Sequence, residues 1–338
     1  MTVDIARRIV LASRPAGEPA AENFRLEEFR IPLPGPGEVL LHALFLSLDP
    51  YMRGRMSDAP SYAAPVAIGG VMEGGAVSKV IASNNDAYKP GDLVLGHTGW
   101  QTHALSNGKG LRKLDPEATS VSYALGVLGM PGMTAYFGLA EIGKPQAGET
   151  LVVAAASGAV GSVVGQIAKI KGAHAVGVAG GADKCRFVKE ELGFDACIDH
   201  RAPDFAVQLK AACPNGIDVY FENVGGKVFE AVVPLLNNYA RVPVCGVISH
   251  YNETSGAQAT NWVPSLMRTV LSKRINMRGF IVSDFHSRRE EFNKEMVPWV
   301  KEGRVKYREH VIEGLENAPR GLIGLLRGEN FGKTLVRF

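Results

Sequence analysis

Cysteine is scarce: Cys185, Cys197, Cys213 and Cys245 stand singly in 338 residues. None forms the C-x-x-C cluster of a zinc or redox centre, so the sequence reads as four reduced thiols. Net charge is scarce as well. Against 37 Lys and Arg stand 34 Asp and Glu, leaving +3, and no basic run makes a stripe that would track phosphates. Nucleic acid is therefore not expected as a partner. Unbroken apolar stretches are also missing: Val121 to Ala140 and Leu151 to Ala168 are long and poor in charge, but glycine interrupts both and Pro131 the first. They read as buried elements and not as membrane spans. The apolar run after Arg7 and Arg8, Ile9 to Ala12, is too short for a secretion signal. A cytoplasmic protein without a membrane partner is expected. No repeat or low-complexity tract is visible.

What is present points to two domains. At 338 residues and 46% apolar side chains the chain exceeds one ordinary core. From Ile9 to Leu114, short apolar runs alternate with turn signals such as Pro34-Gly35-Pro36-Gly37 and Lys89-Pro90-Gly91-Asp92. Runs such as Glu38 to Leu46 and Asp92 to Leu95 predict strands of a β-rich domain. From Thr150 the rhythm changes: Leu151 to Ala156 meets a small-residue turn, and a helical pattern with Val160, Val163, Val164 and Ile167 on one face follows. Further strands are expected at Ala175 to Ala179, Ala196 to Asp199, Asp218 to Asn223, Ala240 to Ile248 and Ile275 to Val282, with helices such as Lys184 to Leu192 and Phe205 to Ala212 between them. This alternation implies an α/β fold with a doubly wound parallel sheet. A long helix is expected at Ser287 to Glu302 and a last strand at Leu335 to Phe338. The expected division is a β-rich domain over 1–125, completed by 303–338, and a Rossmann domain over 126–302.

The dinucleotide fingerprint appears as Ala156-Ser157-Gly158-Ala159-Val160-Gly161, an A-x-G-x-x-G form between a predicted strand and a predicted helix. Gly158 lets the backbone approach a pyrophosphate, Gly161 allows close helix–strand packing, and the helix N-terminus faces the phosphates. At the end of the second strand, Ala179-Gly180-Gly181-Ala182 lacks the acid that an NAD site uses for the ribose hydroxyls. Asp183 comes late, as a candidate helix cap, and Lys184 supplies a cation for a 2′-phosphate. The expected cofactor is NADPH.

Several ordered motifs carry a family resemblance: Ser47-Leu48-Asp49-Pro50-Tyr51-Met52-Arg53-Gly54, Leu128 to Tyr136, Ala155 to Gly165, Glu222-Asn223-Val224-Gly225-Gly226, Cys245 to Asn252 and Asn330-Phe331-Gly332-Lys333. Together they resemble the zinc-independent medium-chain dehydrogenases/reductases, in the group of prostaglandin reductases, bacterial curcumin reductases and plant double-bond reductases. The resemblance implies a GroES-like β-rich catalytic domain, a Rossmann NADPH domain, an active site in the cleft between them, and a homodimer. It places Met130 and Thr134 by the nicotinamide end and Lys184 by the 2′-phosphate. Asn223, Cys245 and Gly246 fall along the cofactor, Phe280 and Ile281 border the nicotinamide, and Asn330 holds the cofactor from the C-terminal segment. Where many relatives have tyrosine near the adenosine phosphate, this chain has His200. Zinc-dependent members carry G-H-E-x-x-G, and here Gly69 to Gly74 reads G-G-V-M-E-G, so no metal is expected.

Without a metal, hydride delivery to the β-carbon of an unsaturated ketone or aldehyde leaves negative charge on the carbonyl oxygen. The site then needs a donor there and a proton for the α-carbon. Tyr251 matches the family's donor tyrosine, and Tyr51 a second cleft tyrosine. A structural tyrosine hydroxyl is the plainer alternative for each, as solvation is for His250 and packing for Trp100. The expected activity is reduction of an enone or enal. A quinone reductase and a non-catalytic NADPH-binding protein are the alternatives.

Overall fold

Turn residues and β-branched runs build the first sheet directly. The computed structural model describes residues 5–115, 117, 119–253 and 262–338, and the chain divides into two units. The first takes in Met1–Gly126, Asn252–Thr254 and Glu309–Phe338, the second Val127–Tyr251 and Ser255–Arg308.

In the first unit, β1 (Ile5–Leu11) and β2 (Phe24–Arg30) form an antiparallel pair. A seven-stranded sheet holds β3 (Val39–Ser47), β4 (Ala76–Ser83), β5 (Leu93–Gly96), β6 (His103–Ser106) and β7 (Arg112–Leu114), with β14 (Glu309–Glu313) and β15 (Lys333–Arg337) from the C-terminal segment. Its order is β14-β15-β3-β4-β5-β7, with β6 also on β3. The Pro-Gly-Pro-Gly turn sets up β3: Gly37 adopts φ +78° and donates its N–H to Asn84 O. Strand β15 pairs antiparallel with β3, Leu335 opposite Ser47. Trp100 is fully buried and stacks on Phe24, so it packs.

The second unit contains β8 (Thr150–Ala154), β9 (His174–Ala179), β10 (Ala196–Asp199), β11 (Ile217–Phe221), β12 (Leu236–Val244) and β13 (Asn276–Gly279), in the order β10-β9-β8-β11-β12-β13. Every pairing is parallel. This is the doubly wound order, with its reversal between β8 and β11. Each residue of β8 is buried, as a strand covered on both faces requires. Among the helices are α2 (Met130–Phe137), α3 (Gly161–Ile170), α4 (Ala182–Glu190), α5 (Phe205–Ala212), α6 (Gly226–Val232), α7 (Val263–Lys273) and α8 (Arg289–Lys301), while α1 (Met52–Arg55) and α9 (Ala318–Leu326) belong to the first unit.

Two strands end earlier than their apolar runs predict. β12 stops at Val244, where a last bridge to Glu222 closes the ladder and the N–H groups of Cys245 and Gly246 both converge on Glu222 O. β13 stops at Gly279, where buried Phe280 packs edge-on against Phe221. Residues 303–308 stay with the second unit, Gln166 Nε2 donating to Lys306 O. No helix among the described residues is long and apolar enough to cross a membrane.

Candidate cofactor and active site

The site is assembled from loops that leave the carboxyl ends of the strands. Ser157 to Gly161 follow β8, Gly180 and Lys184 follow β9, and His200 follows β10. Asn223 follows β11, Cys245, Gly246 and Tyr251 follow β12, and Phe280 and Ile281 follow β13. In an open parallel sheet this edge is where ligands bind.

At the end of β8 the chain turns sharply, with Ala155 at φ +53°. A side-chain carbon on Gly161 would fall 2.3 Å from Ala155 O, and one on Gly165 1.8 Å from the Phe194 ring, so α3 approaches this close only with glycine at both places. Among the described residues the N–H groups of Ala159, Val160 and Gly161 have no protein acceptor. Three such donors at a helix N-terminus form an anion seat. Asn223 Nδ2 donates to Ala154 O at 2.9 Å, tying the tips of β8 and β11 where the strand order reverses.

Beneath Asn223, Glu222 is 1% exposed. Its Oε1 accepts the N–H groups of Val224 (2.6 Å) and Gly225 (2.9 Å) and the hydroxyl of Tyr220 (3.1 Å). Oε2 is buried without a partner. Burial holds this carboxyl above its ordinary range despite the backbone donors. The Cys245 thiol is pushed up to about 12, first by its own burial and then by the Glu222 charge, and so stays protonated and unreactive.

The loops after β11 and β12 are stitched together. Ile248 N–H donates to Asn223 O and Ser249 N–H to Val224 O. His250 Nε2 accepts the Gly226 N–H at 3.1 Å, which gives this histidine a structural task at the start of α6. Tyr251 follows at once, and its hydroxyl oxygen would lie 2.9 Å from a side-chain carbon on Gly246. The absent side chain at Gly246 is what makes room for the phenol.

On α2, Thr134 is buried and its hydroxyl donates back to Met130 O at 2.8 Å. Asp183 does not cap α4. It lies in the first turn and pairs with Arg186, while the N-cap is Gly181. The cysteines that sequence spacing left apart are not all apart in space, because the Cys185 and Cys197 thiols are neighbours across α4 and β10.

Tyr51 and Asn330 belong to the first unit. Burial, with Asp49 and Glu73 nearby, raises the Tyr51 hydroxyl far above the neutral range, so it stays protonated. Asn330 Nδ2 donates to Gly332 O at 2.8 Å. Lys333, 1% exposed, donates to Leu48 O (2.8 Å) and pairs with Asp49 (2.7 Å), which also accepts from Ser47. Two motifs quoted from the sequence are thereby fastened together. Glu222, Asp49 and Lys333 lay inside those motifs with no role assigned, since spacing does not show which members meet.

Residues 7–114 match a family described as the N-terminal domain of oxidoreductase, and residues 159–302 one described as zinc-binding dehydrogenase. The chain is 60% identical to the NADPH-dependent curcumin reductase of Escherichia coli (strain K12) over 98% of its length and 96% of that protein. It belongs to the medium-chain dehydrogenase/reductase family. Within that family it is 40% identical to the NADP(+)-dependent 2-alkenal reductase of Nicotiana tabacum, over 98% of this chain and 96% of that one. The crystal structure of CurA from Vibrio vulnificus in complex with NADPH superposes with a TM-score of 0.95 at 57% identity, covering 98% of both chains. The name of the second matched family mentions zinc. In this medium-chain dehydrogenase/reductase the histidine position of the zinc signature is Gly70, and no group of three metal-ligating side chains occurs among the described residues.

Proposed function

We propose that this chain reduces the carbon–carbon double bond of α,β-unsaturated ketones or aldehydes with NADPH. The observation that carries the reading is the Tyr251 phenol lying against Gly246 in the loop bound to the Asn223 loop, at the ligand-binding edge of a doubly wound sheet. The cofactor fits the residues present. The unclaimed N–H groups of Ala159, Val160 and Gly161, beside Ser157 and Gly158, suit the pyrophosphate. Gly180, Lys184 and His200 suit the 2′-phosphate. Met130, Thr134, Asn223, Cys245, Gly246, Phe280 and Ile281 suit the rest, and Asn330 is assigned to the cofactor on the family resemblance. When bound, NADPH supplies the hydride for the β-carbon.

The protein's own part is to hold the acceptor, stabilise charge on its carbonyl oxygen and deliver a proton to the α-carbon. We assign the proton and the hydrogen bond to Tyr251, and the shaping of the acceptor pocket to Tyr51. No metal takes part. The unit that holds residues 1–126 and 309–338 is the catalytic domain in this reading, and the unit that runs to Arg308 the NADPH domain. The four cysteines carry no disulfide, which suits a reducing compartment, and we place the protein in the cytoplasm.

The chain is a homodimer in this reading. Strand β13 is an edge strand, and beside its neighbour β12 helix α7 exposes Val263 (57%), Met267 (58%) and Leu271 (79%) as one apolar stripe. The test of the activity is NADPH consumption against a panel of enones, enals and quinones. Turnover of enones and enals is expected. Turnover of quinones alone, or of nothing, overturns the reading.

A further inference from the structure

The turn that ends β9 gathers basic groups from two neighbouring loops. A side-chain carbon on Gly180 would come within 2.9 Å of His200 Nε2 and 3.1 Å of Arg201 Nε, and one on Gly181 within 3.9 Å of Arg201 Nη1. Lys184, in the first turn of α4, is close enough to Arg201 for the guanidinium, after burial, to lower its proton affinity. His200 is lowered by burial first and then by Arg201. Like charges brought together in this way call for an anion. Of the acids nearby, Asp199 gives one negative charge to His200 and Arg201, fewer than the three basic groups gathered at this turn. Asp199 Oδ1 already accepts the N–H groups of Gly181 and Arg201, both at 2.9 Å, and Asp183 pairs with Arg186. Among the described residues Arg201 has no ion-pair partner, and its side chain is exposed.

We propose that Arg201 is the principal reader of the cofactor's 2′-phosphate, its guanidinium reaching phosphate oxygens across the gap that Gly180 leaves open, with Lys184 and His200 as supporting cations. The assignment rests on the NADPH reading above. Arginine suits it on chemical grounds: the planar fork binds a phosphate at two points and stays charged, whereas lysine offers a single point charge. Lys184 lies just past the second strand of the Rossmann unit. Arg201 lies after the third strand and reaches the turn only through the fold.

The test is calorimetric titration of NADPH and NADH into the wild type, Arg201→Met, Arg201→Lys and Lys184→Met, with a thermal melt to verify folding of each. One lost charge-assisted contact weakens binding by about ten- to hundredfold. That loss is expected for NADPH with Arg201→Met, with NADH unchanged, a partial return with Arg201→Lys, and a smaller loss with Lys184→Met. An Arg201→Met protein that prefers NADPH as strongly as the wild type, or that loses both cofactors equally, overturns the assignment alone. So does a larger NADPH loss in Lys184→Met. A wild type that binds both cofactors equally overturns the NADPH reading, and this assignment with it.

Discussion

At the scale of single residues, two hydroxyl- and carboxyl-bearing side chains decide the chemistry and its support. Tyr251→Phe keeps the ring against Gly246 and removes only the donor. Positioned acid catalysis is worth about 10²- to 10⁴-fold, so enone turnover should fall by about that much while NADPH affinity holds. Single-turnover rates in protonated and deuterated solvent check it: a variant with unchanged rate and unchanged isotope effect leaves Tyr251 without a role in proton delivery. Glu222 supplies the pH prediction. Its folded value lies above the ordinary 4.5, so the folded state binds a proton more tightly than the unfolded one. Its contribution to stability is complete below that value and is lost as pH rises through the folded value. Urea midpoints of the wild type and Glu222→Gln, compared from acid to neutral pH, should show this part of the decline only in the wild type. Other carboxyls, such as Asp195 and Asp199, are shifted down and work in the opposite sense, which is why the difference between the two proteins is the quantity to follow.

At the scale of elements, the Ser47–Gly54 and Asn330–Lys333 motifs of the first unit meet in one buried ion pair. Lys333 begins β15 and holds Asp49 and Leu48 O, just past the end of β3. Removing one partner of a buried pair leaves the other charge uncompensated, at roughly 3–5 kcal/mol. Lys333→Met should therefore lower the unfolding free energy by about that amount, and Asp49→Asn made together with it should restore part of the loss. Calorimetric melts of the single and double variants measure the coupling. Additive losses would mean that the pair merely sits in place. The same pair anchors the segment that carries Tyr51, so its loss should also raise KM for the enone acceptor.

At the scale of the whole molecule, the edge strand β13 and the exposed stripe on α7 set the expected assembly. Met267→Glu with Leu271→Glu should shift the sedimentation coefficient from dimer to monomer, since two charges cannot be buried in an apolar contact without partners. A wild type that sediments as a monomer at micromolar concentration removes the dimer from the picture. Exhaustive chelation should leave activity intact, because the zinc-signature histidine position is Gly70. Activity lost to the chelator and returned by zinc would reverse that expectation.

The sequence by itself determined the α/β fold class, the doubly wound domain and the phosphate loop. Those features are local: apolar runs of strand length, a 3.6-residue period, and small residues where α3 must approach β8. It also named the residues at the strand ends, because each follows its strand within a few positions. Tertiary structure alone decided which of them meet. The pairing of Lys333 with Asp49 spans the chain from one end to the other, His250 is claimed by a backbone N–H of α6, and Arg201 joins Lys184 only because β9 and β10 are neighbours. Burial decided the rest. Nothing in the string of letters distinguishes a solvated Glu222 or Cys245 from one whose proton affinity burial raises.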